Sequence, residues 1–124
     1  MNQFLAIAAG GAIGSVLRYW VSINTHAIFG RDFPYGTLTV NVIGSLLMGL
    51  LFVLFVERWE IETVIRSAIL IGLLGAFTTF STFSIETLNL VEDGSYAKAL
   101  VNILVSVSAS LAAAWLGIII GRQI

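Results

Sequence analysis

Four stretches of the chain, residues 4–23, 37–56, 67–85 and 99–121, are almost free of charge, with Arg18 the one charged residue inside them. Each is close to the ~20 residues that a helix rising ~1.5 Å per residue needs to cross a hydrocarbon core of ~30 Å. The pattern predicts an all-α membrane protein with four transmembrane helices in a single domain, residues 1–124. The links are short: residues 24–36, containing the only Pro, then 57–66, then 87–98. Short links make neighbouring helices antiparallel. Tyr19, Trp20, Tyr35, Trp59 and Tyr96 fall near span ends, as interfacial aromatics do, with Trp115 the exception.

Polar positions inside the spans are few and ordered. In the second span Thr37, Asn41, Ser45 and Gly49 recur every four residues and form one slowly winding stripe on an otherwise aliphatic helix. The stripe faces either a neighbouring helix or something polar. The third span is denser: residues 72–86, GLLGAFTTFSTFSIE, interleave Thr78, Thr79, Ser81, Thr82 and Ser84 with Phe77, Phe80 and Phe83. At about 100° per residue the three Phe fan over one side, while Thr79, Thr82 and Glu86 gather on the other with Ser81 between. Gly72 and Gly75 precede a β-branched Thr pair, a poor helix sequence, so a break is expected at residues 75–79. A break frees carbonyls in mid-membrane, which is tolerated only where they are buried in protein or line a cavity.

Composition narrows the function. The chain is 58% hydrophobic and 10% charged, which leaves no room for a soluble catalytic or nucleic-acid-binding domain. Cysteine is absent and there is a single His, so thiol chemistry and a histidine metal site are excluded and no enzyme activity is expected. A net charge of −1 predicts no polyanionic partner. The opening Met-Asn-Gln lacks a basic segment and the first apolar run exceeds a signal-peptide core, so that run is expected to be a retained span. With four spans both termini share a side. Arg58, Arg66 and Arg122 then oppose Arg31, Lys98 and, near the expected end of the first span, Arg18. This tie predicts insertion in both orientations, or else too few charges to decide.

Four helices enclose little by themselves, so a pathway implies an oligomer. Gly10 and Gly14 form a GxxxG in the first span, and Ser106, Ser110, Ala113, Gly117 and Gly121 line one face of the last. Such small residues serve contacts between subunits or within one. Hydroxyls, an amide and the positive rims of Phe rings suit a small anion better than a cation, since no carboxylate ring is present. Moving a bare ion into low dielectric costs on the order of tens of kcal/mol, so donors must replace its water along the whole path.

Segments 10–19 (GGAIGSVLRY), 36–45 (GTLTVNVIGS) and 72–86 resemble the signature segments of the Fluc/CrcB family of fluoride channels, and the length and four-span layout match over the whole chain. The resemblance implies an antiparallel dual-topology homodimer in the bacterial inner (plasma) membrane, with two fluoride pathways near the subunit interface. It matches Phe80 and Phe83 to pore-facing aromatics and Asn41 to the amide at the inner end of an aqueous vestibule. Arg18 matches the first-span Arg. Ser81, Thr82 and Glu86 match a polar track, with Thr37 extending it. It further implies one structural Na⁺ at the dimer centre, held by backbone carbonyls of Gly75 and Thr78 from both subunits.

Each assignment has a plainer reading. Arg18 either contacts the ion or snorkels from a span end, and Glu86 either turns hydroxyl donors toward the ion or ends the span in water. Phe77 and Asn102 read as packing, His26 as a solvated link residue, and Trp115 as packed or lipid-facing. The competing functions are a proton-coupled small multidrug exporter, also four-span and dual-topology, and a non-transporting subunit of a larger assembly. The exporter needs a carboxylate in the first span, yet the first acid here is Asp32, in a link. No phosphate-binding loop is present to couple transport to a nucleotide.

Overall fold

The computed structural model describes residues 2–124, and all regular structure among them is helical. Helix α1 is Asn2–Phe29 and α2 is Tyr35–Phe52, which continues as a π-helical segment, Val53–Arg58. The third rod is composite: α3 (Thr63–Arg66), a π-helical segment (Ser67–Leu73), α4 (Leu74–Phe77) and α5 (Phe80–Glu92). Helix α6 is Tyr96–Gln123. The rods Asn2–Phe29, Tyr35–Arg58, Thr63–Glu92 and Tyr96–Gln123 are each long and apolar enough to cross a membrane.

Every rod overruns the apolar run that predicts it. Charge-free sequence marks only the hydrocarbon depth, whereas a helix keeps its backbone bonds satisfied into the headgroup layer and ends where a turn stops it. For α1 that stop is Gly30, at φ 91°, whose N–H donates to the His26 carbonyl at 2.8 Å. His26 is therefore not a link residue. It lies in the last turn of α1, and its Nδ1 donates to the Gly30 carbonyl at 3.0 Å. The longer α1 also moves Arg18 from a span end to well inside the span, which removes it from the charge balance between the two sides. Arg31 and Lys98 then oppose Arg58, Arg66 and Arg122.

Helix α2 is the hub, lying along α6 and also touching α1 and both halves of the interrupted rod, while α1 lies along the π-helical segment and α4. Close approach depends on glycine. A Cβ on Gly10 would overlap the Ala68 carbonyl oxygen and one on Gly14 that of Leu73, so the GxxxG packs inside the protomer. Gly49 and Gly117 perform the same service reciprocally between α2 and α6, against the Ala114 and Leu46 carbonyls. A hydrophobic core cluster, Leu54, Phe55, Leu70 and Leu74, draws on both π-helical segments and the start of α4. Outward, Phe4, Val16, Trp20, Leu104, Leu111 and Trp115 are exposed, an apolar surface far larger than water tolerates and suited to lipid.

A second buried feature joins α5 to α6. Asn102, 2% exposed, donates through Nδ2 to Thr87 Oγ1 at 2.9 Å and accepts at Oδ1 from Ser106 Oγ at 3.0 Å, while Thr87 Oγ1 donates to the Phe83 carbonyl at 2.7 Å. Interhelical bonds of this kind contribute about 0.6 kcal/mol on average and up to about 2 kcal/mol. Asn102→Leu is expected to lower unfolding stability in detergent by about 1–2 kcal/mol, read from thermal or denaturant unfolding.

Candidate functional site

The third rod is interrupted at its middle by Thr78 (φ −88°, ψ 157°) and Thr79 (φ −153°, ψ 116°), both in extended backbone. The residues that leave the helix are the β-branched pair rather than Gly72 or Gly75, in keeping with the extended preference of a side chain branched at Cβ. Around them side chains replace the helix's own bonds. Thr79 N–H donates to Asn41 Oδ1 at 2.8 Å, and Asn41 Nδ2 donates to the Thr79 carbonyl at 3.1 Å. Arg18 Nε donates to the Ala76 carbonyl at 3.1 Å. Thr79 Oγ1 caps α5 by accepting from the Thr82 N–H at 3.2 Å. Thr82 Oγ1 lies 3.1 Å and Ser81 Oγ 3.4 Å from the same oxygen, which joins three hydroxyls at one helix start. Gly44, one turn along α2 from Asn41, admits the Thr78 methyl, which a Cβ there would overlap.

The interruption also sorts the aromatics. A continuous helix would place Phe77, Phe80 and Phe83 on one side, but two extended residues after Phe77 break that register. Phe77 turns inward, 7% exposed and close to Gly44. Phe80 and Phe83 remain a pair on α5, with centroids 5.3 Å apart and planes at 42°, Phe80 74% exposed and Phe83 buried.

That pair borders an open cavity of about 380 Å³, whose other walls are Asn41 and Ser45 of α2, Thr78 and Thr79, and Ser106 and Ser110 of α6. A smaller cavity of about 230 Å³ lies toward the α1–α2 link, lined by His26, Arg31, Asp32, Glu86, Asn89 and Asp93 among others. Glu86 Oε1 is buried there without a partner. Asn41, Thr78, Phe80 and Phe83 thus share one cavity and Glu86 lines the other, with Ser81 and Thr82 on the first turn of α5. Thr37 is buried one turn before Asn41. Arg18 lines neither cavity. Gly75 is exposed on the protomer.

The α6 wall is the part sequence reasoning missed. Ser106 and Ser110 read as small packing residues, yet Asn102, Ser106 and Ser110 repeat every four residues as Asn41 and Ser45 do, and that parallel was the available signal.

A family described as "CrcB-like protein, Camphor Resistance (CrcB)" matches residues 5–118. A protein of Magnetococcus marinus named fluoride-specific ion channel FluC is 52% identical over 98% of this chain and 99% of its own length. One of the same name from Coxiella burnetii is 51% identical over 100% of both chains. Another from Methylococcus capsulatus is 52% identical over 100% of this chain, which spans 55% of that longer relative.

Proposed function

The chain belongs to the CrcB-like protein family, and we propose on that premise that it is a fluoride-selective passive channel of the bacterial inner membrane. The observation that carries the reading is the interruption at Thr78–Thr79 beside the Phe80–Phe83 pair, opening on a cavity with polar groups in its wall. An anion at that depth needs partial positive charge from several sides at once. Phe rims supply it, as do hydroxyl hydrogens, and α5 adds the positive end of a helix that starts in mid-span. The opposite requirement, a carboxylate in the first span for proton-coupled drug export, is not met.

The pathway is completed by a second copy in antiparallel orientation, which gives two pores per dimer. The open side of the cavity, the 74% exposed Phe80 and the exposed Gly75 support this. The near-balanced Lys/Arg distribution allows both orientations. The carbonyls of Gly75 and Thr78 suit a central Na⁺. The amides that would reach them in a continuous helix, those of Thr79 and Thr82, donate instead to Asn41 Oδ1 and Thr79 Oγ1. Bound there, the ion would supply a fixed positive charge tying the two interruptions together. Fluoride that enters as neutral HF and ionises in a less acidic cytoplasm leaves down its own gradient, with no energy input.

Purified protein in liposomes loaded with KF, with valinomycin to clamp charge, is expected to release fluoride rapidly and, when loaded with KCl, to release almost no chloride. Release of neither anion from verified dimer overturns the channel reading. A C-terminal reporter is expected on both sides of the membrane in comparable amounts, and a single orientation overturns the antiparallel dimer.

A further inference from the structure

Two side chains from other helices, Arg18 and Asn41, make hydrogen bonds to the backbone of the interrupted rod. We infer that both are positioning residues, which act on permeation by holding α4 and α5 apart at Thr78–Thr79, Arg18 without contact with the anion. The inference deepens the channel reading and rests on it for its transport readout.

Five helical bonds would span residues 75–83 in a continuous rod. The extended Thr78 and Thr79 remove four of them, those from the Thr79, Phe80, Ser81 and Thr82 amides to the carbonyls of Gly75, Ala76, Phe77 and Thr78, and backbone groups left bare at this depth are strongly disfavoured. Three substitutes are present. Asn41 Oδ1 takes the Thr79 N–H, Arg18 Nε takes the Ala76 carbonyl, and Thr79 Oγ1 takes the Thr82 N–H. Asn41 also closes a second bond to the Thr79 carbonyl, so its amide grips one residue by both backbone groups. This uses its only acceptor and one of its two N–H groups. Among the described residues the Gly75, Phe77 and Thr78 carbonyls receive no such substitute, so the interruption that the clamps stabilise keeps three backbone oxygens bare.

The rival reading makes Arg18 a fixed positive charge for the anion, and no carboxylate neutralises it among the described residues. The atom used decides between them. Arg18 bonds through Nε, and the Nε2 of a Gln is the same number of bonds from Cα, so Gln reproduces the donor without the charge. Lys keeps the charge but places its nitrogen one bond further out.

The test is fluoride efflux from liposomes for Arg18→Gln, Arg18→Lys and Arg18→Met, each first shown dimeric by gel filtration. Arg18→Gln is expected to stay near wild type, with Arg18→Lys and Arg18→Met at least about ten-fold slower. Flux kept by Lys and lost by Gln overturns positioning in favour of charge. For Asn41, replacing the Thr79 amide by an ester deletes the clamped N–H without touching the side chain. The ester and Asn41→Ala are expected to slow flux similarly, and the double variant no further than either. Additive losses overturn the clamp. Hydrogen exchange at the Thr79 amide needs no transport: it is expected to be slow in wild type and at least about ten-fold faster in Asn41→Ala. Unchanged exchange overturns the inference even if fluoride flows, and a wild type that passes no fluoride fails the channel reading while this measurement still decides the clamp.

Discussion

Phe80→Ile is expected to cut fluoride efflux by at least about ten-fold, equivalent to about 1.4 kcal/mol in the barrier, while the dimer still forms. The substitution isolates the ring. Ile matches Phe in being apolar but has no quadrupole, so it offers the anion no positive rim. Phe80 is 74% exposed on the protomer, so little of the protomer's own packing is lost with it. Phe83 is only 8% exposed, and its Ile variant loses packing as well as the rim, so its flux is compared after correction for the folded fraction. Because the rings stand 5.3 Å apart, an anion at either edge is within reach of the other, and the double variant is expected to fall further than either single one. Unchanged efflux in both single variants removes the aromatic pair from the pathway.

What was legible in the sequence, and what was not, follows from how far each signal reaches. A hydrocarbon solvent forbids charge over ~20 residues, so four spans stood out, and their true ends did not because helices continue into a layer where charge is allowed. His26 and Arg18 were misplaced for that one reason. Periodicity assumes an unbroken helix, so it kept Phe77 with Phe80 and Phe83 until two extended residues between them sent Phe77 into the core. The Asn41 stripe was visible as four-residue spacing, but its partner, the Thr79 backbone, carries no side-chain signature. The same limit hid the partner of Arg18. Small residues show that something approaches and never what: Gly10 and Gly14 meet the π-helical segment, while Ser106 and Ser110 face a cavity.

That limit makes the adjacent glycines of the first span a sharp test of the packing. Gly10→Ala is expected to destabilise the chain by about 2–3 kcal/mol, the upper part of the range for overpacking. Gly11→Ala is expected to be neutral or to stabilise by up to about 1 kcal/mol through helix propensity. The difference lies in what a methyl meets. At Gly10 it overlaps the Ala68 carbonyl oxygen and comes within 3.0 Å of the Leu73 nitrogen, both backbone, so no rotamer change relieves it. At Gly11 its nearest neighbour is the Gly72 carbonyl oxygen at 3.9 Å, an ordinary contact. Gly14→Leu adds a branched side chain where even a Cβ overlaps the Leu73 carbonyl, and is expected to leave no monodisperse protein on gel filtration. Because α1 lies against Ser67–Leu73, which leads directly into α4, pushing the two apart also displaces the interruption at Thr78–Thr79. A partly folded Gly10→Ala variant should therefore lose fluoride flux beyond its loss of folded protein. Equal stability of the Gly10→Ala and Gly11→Ala proteins in detergent unfolding would mean that α1 does not cross the third rod at Gly10, and the packing that supports the site would have to be redrawn.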